Sequence, residues 1–335
     1  MTEPLLEVKN LSVDFLVDDD IVSAVSDVSL DVSPGEILGL VGESGCGKTT
    51  LAMAIMRLLA PNARTQGSIR FRGIDLLQLS EADCTRLRGD QIGMIFQDPL
   101  SSLDPAFGIG SQVADTIETH RRVSGREART RALALLREVG IPSPQLRYGD
   151  PPHRFSGGMR QRVVIAAALA NEPALVLADE PTSALDVTIQ AQILTLLKEL
   201  AVHHHTTVVL IAHDLGIVAQ LCNRVGVMYA GQLVELAPVS EIFGRPLHPY
   251  TQALLGALPT ARQAPGSLRV IEGQIPNLAA PPPGCRFAPR CAHRMDVCIQ
   301  TPVLETQASR HSVACWLYPG QNDDHPAGQV DDRDR

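Results

Sequence analysis

Apolar and polar residues alternate, or run apolar-rich, along Leu5–Phe15 and Val25–Val32, as they do in strands. Ile37–Val41 is a short run of β-branched and aliphatic residues around Gly39, of the length of a buried strand. Thr49–Leu59 reads as a helix closed by Pro61. After a strand at Ile92–Phe96 the character changes: two helical stretches, Ile109–Arg122 and Glu127–Val139, are set between polar, glycine- and proline-bearing turns. Alternation then resumes with a helix at Met159–Ala170, a strand at Leu175–Ala178, a helix at Val187–Val202 and a strand at Thr207–Ala212. Strands alternating with helices predict an α/β fold whose mainly parallel sheet is covered on both faces.

The pattern divides the chain into five parts. Residues 1–97 and 159–244 are two halves of one core, and 98–158 are a helical subdomain inserted between them. Residues 245–318 are rich in proline and hold four of the seven cysteines. The tail 319–335 carries Asp323, Asp324, Asp331, Asp332 and Asp334 with little apolar material, so it is expected to stay disordered.

Composition narrows the class. The 335 residues and 44% apolar content suit a soluble globular chain with a sizeable core. The formal charge of −8 argues against a nucleic-acid partner, which would call for a basic face. No apolar run approaches the ~20 residues that span a bilayer. The N-terminus has no basic stretch leading into an apolar one, so a cytosolic location with reduced thiols is expected.

The sharpest chemistry lies between Ile37–Val41 and the following helix. Gly42-Glu43-Ser44-Gly45-Cys46-Gly47-Lys48-Thr49-Thr50 matches a phosphate-binding loop in its required strand–helix setting. Its glycines let backbone N–H groups turn inward around phosphates, and the helix N-terminus adds its own donors. Lys48 supplies a point charge, while the Thr49 hydroxyl suits Mg²⁺. Downstream, the apolar strand ends in Asp179-Glu180, at the edge where parallel sheets hold ligands. Asp179 fits a Mg²⁺-coordinating carboxylate; Glu180 is placed to polarise an attacking water.

Further motifs carry a family resemblance. Phe155-Ser156-Gly157-Gly158-Met159-Arg160-Gln161 resembles the signature motif of ABC ATPases, and Pro181-Thr182-Ser183-Ala184-Leu185-Asp186 their D-loop. Gln97 is similar to the Q-loop glutamine and His213, in Ile211-Ala212-His213-Asp214, to the switch histidine. The match covers about residues 5–235. Read alone, Ser156-Gly157-Gly158 is a hydroxyl and mobile backbone at a helix start, a second anion cradle or an ordinary N-cap. The resemblance implies that it closes, with Gln161 nearby, on ATP held by the opposite subunit's phosphate loop. It also implies that Gln97, with Thr49 and Asp179, serves the metal, and that His213 contacts the γ-phosphate. An aromatic residue often stacks on adenine in this family; Phe15 is the candidate, with Val22 the alternative alignment.

Leu247-His248-Pro249-Tyr250-Thr251 reads as a proline-constrained turn into a short helix, and resembles the region after the core in dipeptide and oligopeptide importers. Nickel chelates and related small solutes are close alternatives. Cys285, Cys291, Cys298 and Cys315 follow a C-x₅-C-x₆-C-x₁₆-C spacing, unlike the paired C-x₂-C of common zinc sites. Four thiolates can hold a module that has little core of its own, with structural zinc or plain reduced thiols as other readings. The family resemblance implies a 4Fe–4S cluster.

Other residues read as structural. His203, His204 and His205 point in different directions on a helix, which disfavours a shared metal, and His293 and His311 read as solvated. Cys46, beside a helix N-terminus, is expected to have a lowered pKa and to be alkylation-sensitive. Cys84 and Cys222 read as small apolar fillers.

Two function classes compete. One is an importer ATPase on the cytoplasmic face of the membrane, working with a second ATPase chain (a related but different one, with a second copy of this chain as the alternative), two permeases and, indirectly, an extracytoplasmic binding protein. The other is a soluble ABC ATPase acting in DNA repair or on ribosomes. Such proteins usually carry two cassettes or a long coiled coil, and this chain has neither.

Overall fold

The computed structural model describes residues 3–318 apart from 19, 184, 259–270 and 309. The acidic tail expected to be disordered therefore lies outside the described residues.

The first half contains β1 (Leu6–Val17), β2 (Asp20–Val32), β3 (Ile37–Val41), α1 (Lys48–Met56), β4 (Ala63–Phe71), β5 (Ile74–Asp75), α2 (Glu81–Leu87) and β6 (Ile92–Ile95). Helices α3 (Pro99–Ser102), α4 (Ile109–His120), α5 (Gly125–Glu138), α6 (Pro144–Arg147) and α7 (Gly157–Leu169) follow. Next come β7 (Leu175–Asp179), α8 (Val187–His203), β8 (Thr207–Ile211), α9 (Leu215–Leu221), β9 (Arg224–Tyr229) and β10 (Gln232–Pro238). The chain continues with α10 (Val239–Gly244), α11 (Pro249–Gly256), β11 (Glu305–Ala308) and β12 (His311–Val313).

The larger sheet has the order β11-β12-β10-β9-β3-β8-β7-β6. Its β9-β3-β8-β7-β6 portion is parallel, as the alternation predicts, and β10, β11 and β12 add antiparallel strands. The N-terminal strands do not join it. They build a separate antiparallel sheet, β2-β1-β4-β5, which corrects the expectation of one sheet. β4 escapes the sequence pattern because Ala63–Phe71 has only two buried positions, Ile69 and Phe71.

Period-two alternation in the parallel strands sorts side chains between two cores. Leu175, Leu177, Val209 and Ile211 face α1 and the antiparallel sheet. Val176, Ala178, Val208 and Leu210 face α4, α5, α7 and α8. A third core joins Val225, Val227 and Tyr229 of β9 to Ile242, Tyr250 and Phe287 of the C-terminal region. α1 is shorter than the sequence suggests. It stops at Met56 because Arg57 takes a left-handed conformation (φ 52°) and returns its N–H to the last turn.

Candidate active site

β6, β7 and β8 are adjacent and parallel, so their C-terminal ends open onto one crevice. Gln97 follows β6, Glu180 follows β7 and His213 follows β8, which is why residues far apart in sequence meet. The Gln97 amide donates to the Glu180 carboxylate at 2.9 Å, and His213 Nδ1 lies 3.7 Å from the same oxygen. Glu180 is held left-handed at φ 43°, while its N–H donates to the Ile211 carbonyl at 3.0 Å. A non-glycine residue held there stores local strain, a feature that concentrates at functional sites.

The phosphate loop spans β3 to α1. Gly42 and Gly47 have φ of 152° and 101°, and a Cβ on either would overlap a carbonyl oxygen, of Met228 and Ala24 respectively. Only glycine lets the loop run this close to its walls. Lys48 is buried, and its Nζ donates to the Gly42 and Glu43 carbonyls at 2.8 and 3.0 Å. The Thr49 hydroxyl donates to Asp179 Oδ1 at 3.1 Å, joining the loop to the end of β7. Asp179 is 4% exposed. Burial raises its pKa, with the Glu180 charge adding to the rise and the Thr49 bond opposing it.

Ser156 caps α7, accepting from the Met159 N–H at 3.4 Å. Gly157 and Gly158 lie against Leu185 and Ile189. α7 belongs to the helical face of the sheet and α1 to the opposite face, so one chain carries the two glycine cradles on different layers. Gln161 lies in the first turns of α7 and is buried. Ala184 of the D-loop lies outside the described residues. Asp186 caps α8 by accepting from the Ile189 N–H at 3.1 Å. Phe15 and Val22 are cross-strand partners, and Phe15 rests against the first core.

Sequence comparisons agree with this layout. The ABC transporter family model matches residues 25–183, and the model for the oligopeptide/dipeptide transporter C-terminal region matches residues 234–298. The chain is 47% identical over 318 residues to the dipeptide transport ATP-binding protein DppD of Bacillus subtilis, covering 94% of this chain and 95% of the relative. It is 46% identical over 312 residues to the oligopeptide transport ATP-binding protein OppD of Salmonella typhimurium, covering 93% of each. The chain belongs to the ATP-binding proteins of peptide ABC transporters. Among solved structures, it resembles the dimeric cassette MJ0796 bound to ADP and Pi, with a TM-score of 0.63 and 31% identity over 70% of this chain and 98% of that one. The structure of cbiO1 from Clostridium perfringens, part of the ABC transporter complex cbiONQ, gives a TM-score of 0.62 at 27% identity, covering 73% of this chain and 92% of that one. The ABC ATPase reading therefore stands, and among the described residues no helix is long and apolar enough to cross a membrane.

The structure corrects several smaller expectations about this ABC ATPase. Cys46 is 1% exposed, and burial raises its pKa despite the opposing pull of Lys48, so it is not an activated thiol. His311 is buried rather than solvated, with its Nε2 2.7 Å from Glu235. His203 Nδ1 and His204 Nε2 both reach Glu138, at 3.2 and 3.0 Å, because the helix ends between the two rings. These three ligand atoms lie within 4.8 Å of one another, a convergence that helical spacing alone does not foresee.

Burial pushes the Cys315 thiol up to about 12, and the charges of Cys285, Cys291 and Cys298 add to the rise. Backbone N–H groups donate to the sulfurs, His293 to Cys291 at 3.3 Å and Met295 to Cys298 at 3.4 Å.

Sequence reasoning missed the ties between this module and the phosphate loop. Arg290 makes a two-pronged pair with the Glu43 carboxylate at 2.8 and 3.2 Å, and the Glu43 N–H donates to the Tyr250 hydroxyl at 2.9 Å. It also missed Glu235, fully buried, which accepts from the Leu247 and His248 N–H groups at 2.7 and 3.0 Å. A glutamate in the loop and an arginine between two cysteines were visible. Their pairing across 247 positions was not.

Proposed function

We propose that this chain supplies the hydrolytic cycle of an importer for di- or oligopeptides. The carrying observation is the meeting of Gln97, Glu180 and His213 at the strand ends beside Asp179 and the Lys48–Thr49 cradle. In this reading Gly42, Glu43, Ser44, Gly45, Cys46, Gly47 and Thr50 offer backbone and side-chain donors to the phosphates, and Lys48 balances their charge. Thr49, Asp179 and Gln97 would hold Mg²⁺, which would neutralise charge on the phosphate oxygens; the Thr49–Asp179 contact and the burial of Asp179 suit a hard cation. Glu180 orients and polarises the water, with Gln97 fixing its carboxylate and His213 sensing the γ-phosphate. Phosphoryl transfer demands mainly such positioning and charge neutralisation.

Ser156, Gly157 and Gly158 act on the nucleotide of a second cassette. The separation of the two cradles between opposite faces of the sheet supports this, and so does the likeness to a dimeric cassette. The partners are a related but different ATPase chain, two membrane permeases and, at one remove, an extracytoplasmic peptide-binding protein. The chain then sits peripherally on the cytoplasmic side of the membrane.

Cys285, Cys291, Cys298 and Cys315 hold a 4Fe–4S cluster in this reading. A zinc tetrahedron with 2.3 Å bonds would bring sulfurs to about 3.8 Å from one another. Among the described residues, the only group of three potential ligands within 4.8 Å is the Glu138 set, so the thiols stand wider than zinc needs. Thiols at that wider spacing, with Cys291 and Cys298 accepting backbone N–H bonds, suit a larger cluster. When bound, the cluster would tie together a module that has little apolar core.

Replacing Lys48 by Ala in cells that depend on this chain for peptide uptake should abolish uptake without loss of the protein. Undiminished uptake would overturn the transport reading. For the thiols, anaerobically purified protein should contain about four iron atoms and four acid-labile sulfides per chain. Colourless protein retaining one zinc would refute the cluster.

A further inference from the structure

Arg290 stands between Cys285 and Cys291, one residue from a thiol, yet its guanidinium is spent on the phosphate loop. It is 4% exposed at the side chain. Besides the two bonds to Glu43, it donates to the Tyr229 hydroxyl at 3.2 Å, the Ile271 carbonyl at 3.1 Å and the Glu272 carbonyl at 2.9 Å. Every donor direction of the fork is thus fixed. Glu43 is gripped equally firmly: its carboxylate by Arg290, its N–H by Tyr250, and its carbonyl by Lys48 Nζ. The Tyr229 and Tyr250 rings meet at 4.6 Å, tilted by 55°, and Phe287, two residues after Cys285, meets them at 5.2 and 5.4 Å. The neighbouring Arg286 donates to the Ala230 carbonyl, and Gly231 N–H donates to the Cys46 carbonyl at 2.9 Å. The thiol module therefore braces the loop through a charged fork and an aromatic wedge.

We infer that Arg290 is a positioning residue that couples the four-thiol module to nucleotide binding, by holding Glu43 and with it the curvature of the phosphate loop. The inference rests on the nucleotide reading of the loop and not on what the thiols hold. A partly buried bidentate pair whose arginine has every donor engaged has one geometry, so a shift of the chain at Cys291 is passed to Glu43 rather than absorbed. Coupling of this kind is reciprocal: whatever the module does to nucleotide affinity, nucleotide does to the module.

The test uses the purified full chain and variants Arg290→Gln, Arg290→Lys and Glu43→Gln, with two readouts. The first is the equilibrium affinity for a fluorescent, non-hydrolysable ATP analogue with Mg²⁺. The second is the deuterium labelling rate of the backbone amides of residues 285–298, which reads the module whatever the thiols hold, followed by peptide mass spectrometry with and without saturating analogue. Affinity should fall about tenfold in Arg290→Gln and Glu43→Gln, the loss expected of a charge-assisted bond, with Arg290→Lys intermediate. Analogue should slow amide labelling of residues 285–298 in the native chain and lose that effect in both neutral variants. Glu43→Gln leaves the module's own residues intact, so it decides the matter if Arg290→Gln unfolds the module. Native affinity in Glu43→Gln, or labelling that still responds to the analogue there, would overturn the coupling. A native chain that fails to bind the analogue at all would instead refute the nucleotide reading.

Discussion

Changing Glu180 to Gln isolates one atom's worth of chemistry. The side chain keeps its length, and its remaining oxygen can still accept the 2.9 Å bond from Gln97. The negative charge and the ability to take a proton from water are lost. General-base and water-positioning groups contribute roughly 10²–10⁴-fold, which at 1.36 kcal/mol per decade raises the barrier by about 3–5 kcal/mol. Folding stability should change by less than about 0.5 kcal/mol, because the group is partly exposed and makes no buried network. Burial is the main reason that the Asp179 pKa is raised, and the Glu180 charge is a further one. The variant's carboxyl should therefore deprotonate at lower pH, moving the acid limb of Mg²⁺ binding downward. Single-turnover hydrolysis, Mg²⁺ titration between pH 4 and 7 and a melting curve, run on the same preparation, measure all three. Turnover within a factor of ten of the native chain would refute the role assigned to Glu180.

Two further predictions concern the C-terminal region. His248 is buried, its pKa is pushed down to about 3 by desolvation, and its Nδ1 accepts from the Tyr250 N–H at 3.0 Å. With the folded pKa below the unfolded value, only the unfolded chain gains a proton as pH falls below about 6.5, so stability declines with acidification. Urea denaturation should show the native chain losing about 2 kcal/mol more than His248→Asn between pH 7 and pH 5; equal losses would contradict this. Glu235→Ala strands the Leu247 and His248 N–H groups and His311, so it should cost about 3–5 kcal/mol in the same assay, against a near-zero cost for an exposed glutamate.

What the sequence made legible was local. Strand–helix alternation, the glycine loop and the paired acidic residues of Asp179-Glu180 are properties of neighbouring residues, and they placed the cradle and the β7 end correctly. Gln97 and His213 were found by family likeness, and the strand order β8-β7-β6 explains why they reach Glu180. The antiparallel sheet was blurred because its strands, exposed on one side, mix polar and apolar positions, as β4 does. Cys46 misled because helix-terminus reasoning omits burial, which here outweighs the Lys48 charge. Arg290–Glu43 and Glu235–His311 were invisible for another reason: each is a single pair formed by tertiary packing, with no periodicity to announce it.

The most direct measurement is ATP hydrolysis by the assembled transporter in which the serine-glycine-glycine cradle carries Gly157→Asp in this chain and the equivalent change in its companion cassette. A carboxylate there would face the triphosphate of the opposing subunit. The rate should collapse while each isolated cassette still binds the nucleotide through its own Lys48 loop. Hydrolysis at the unaltered rate would mean that the two cradles never share one ATP.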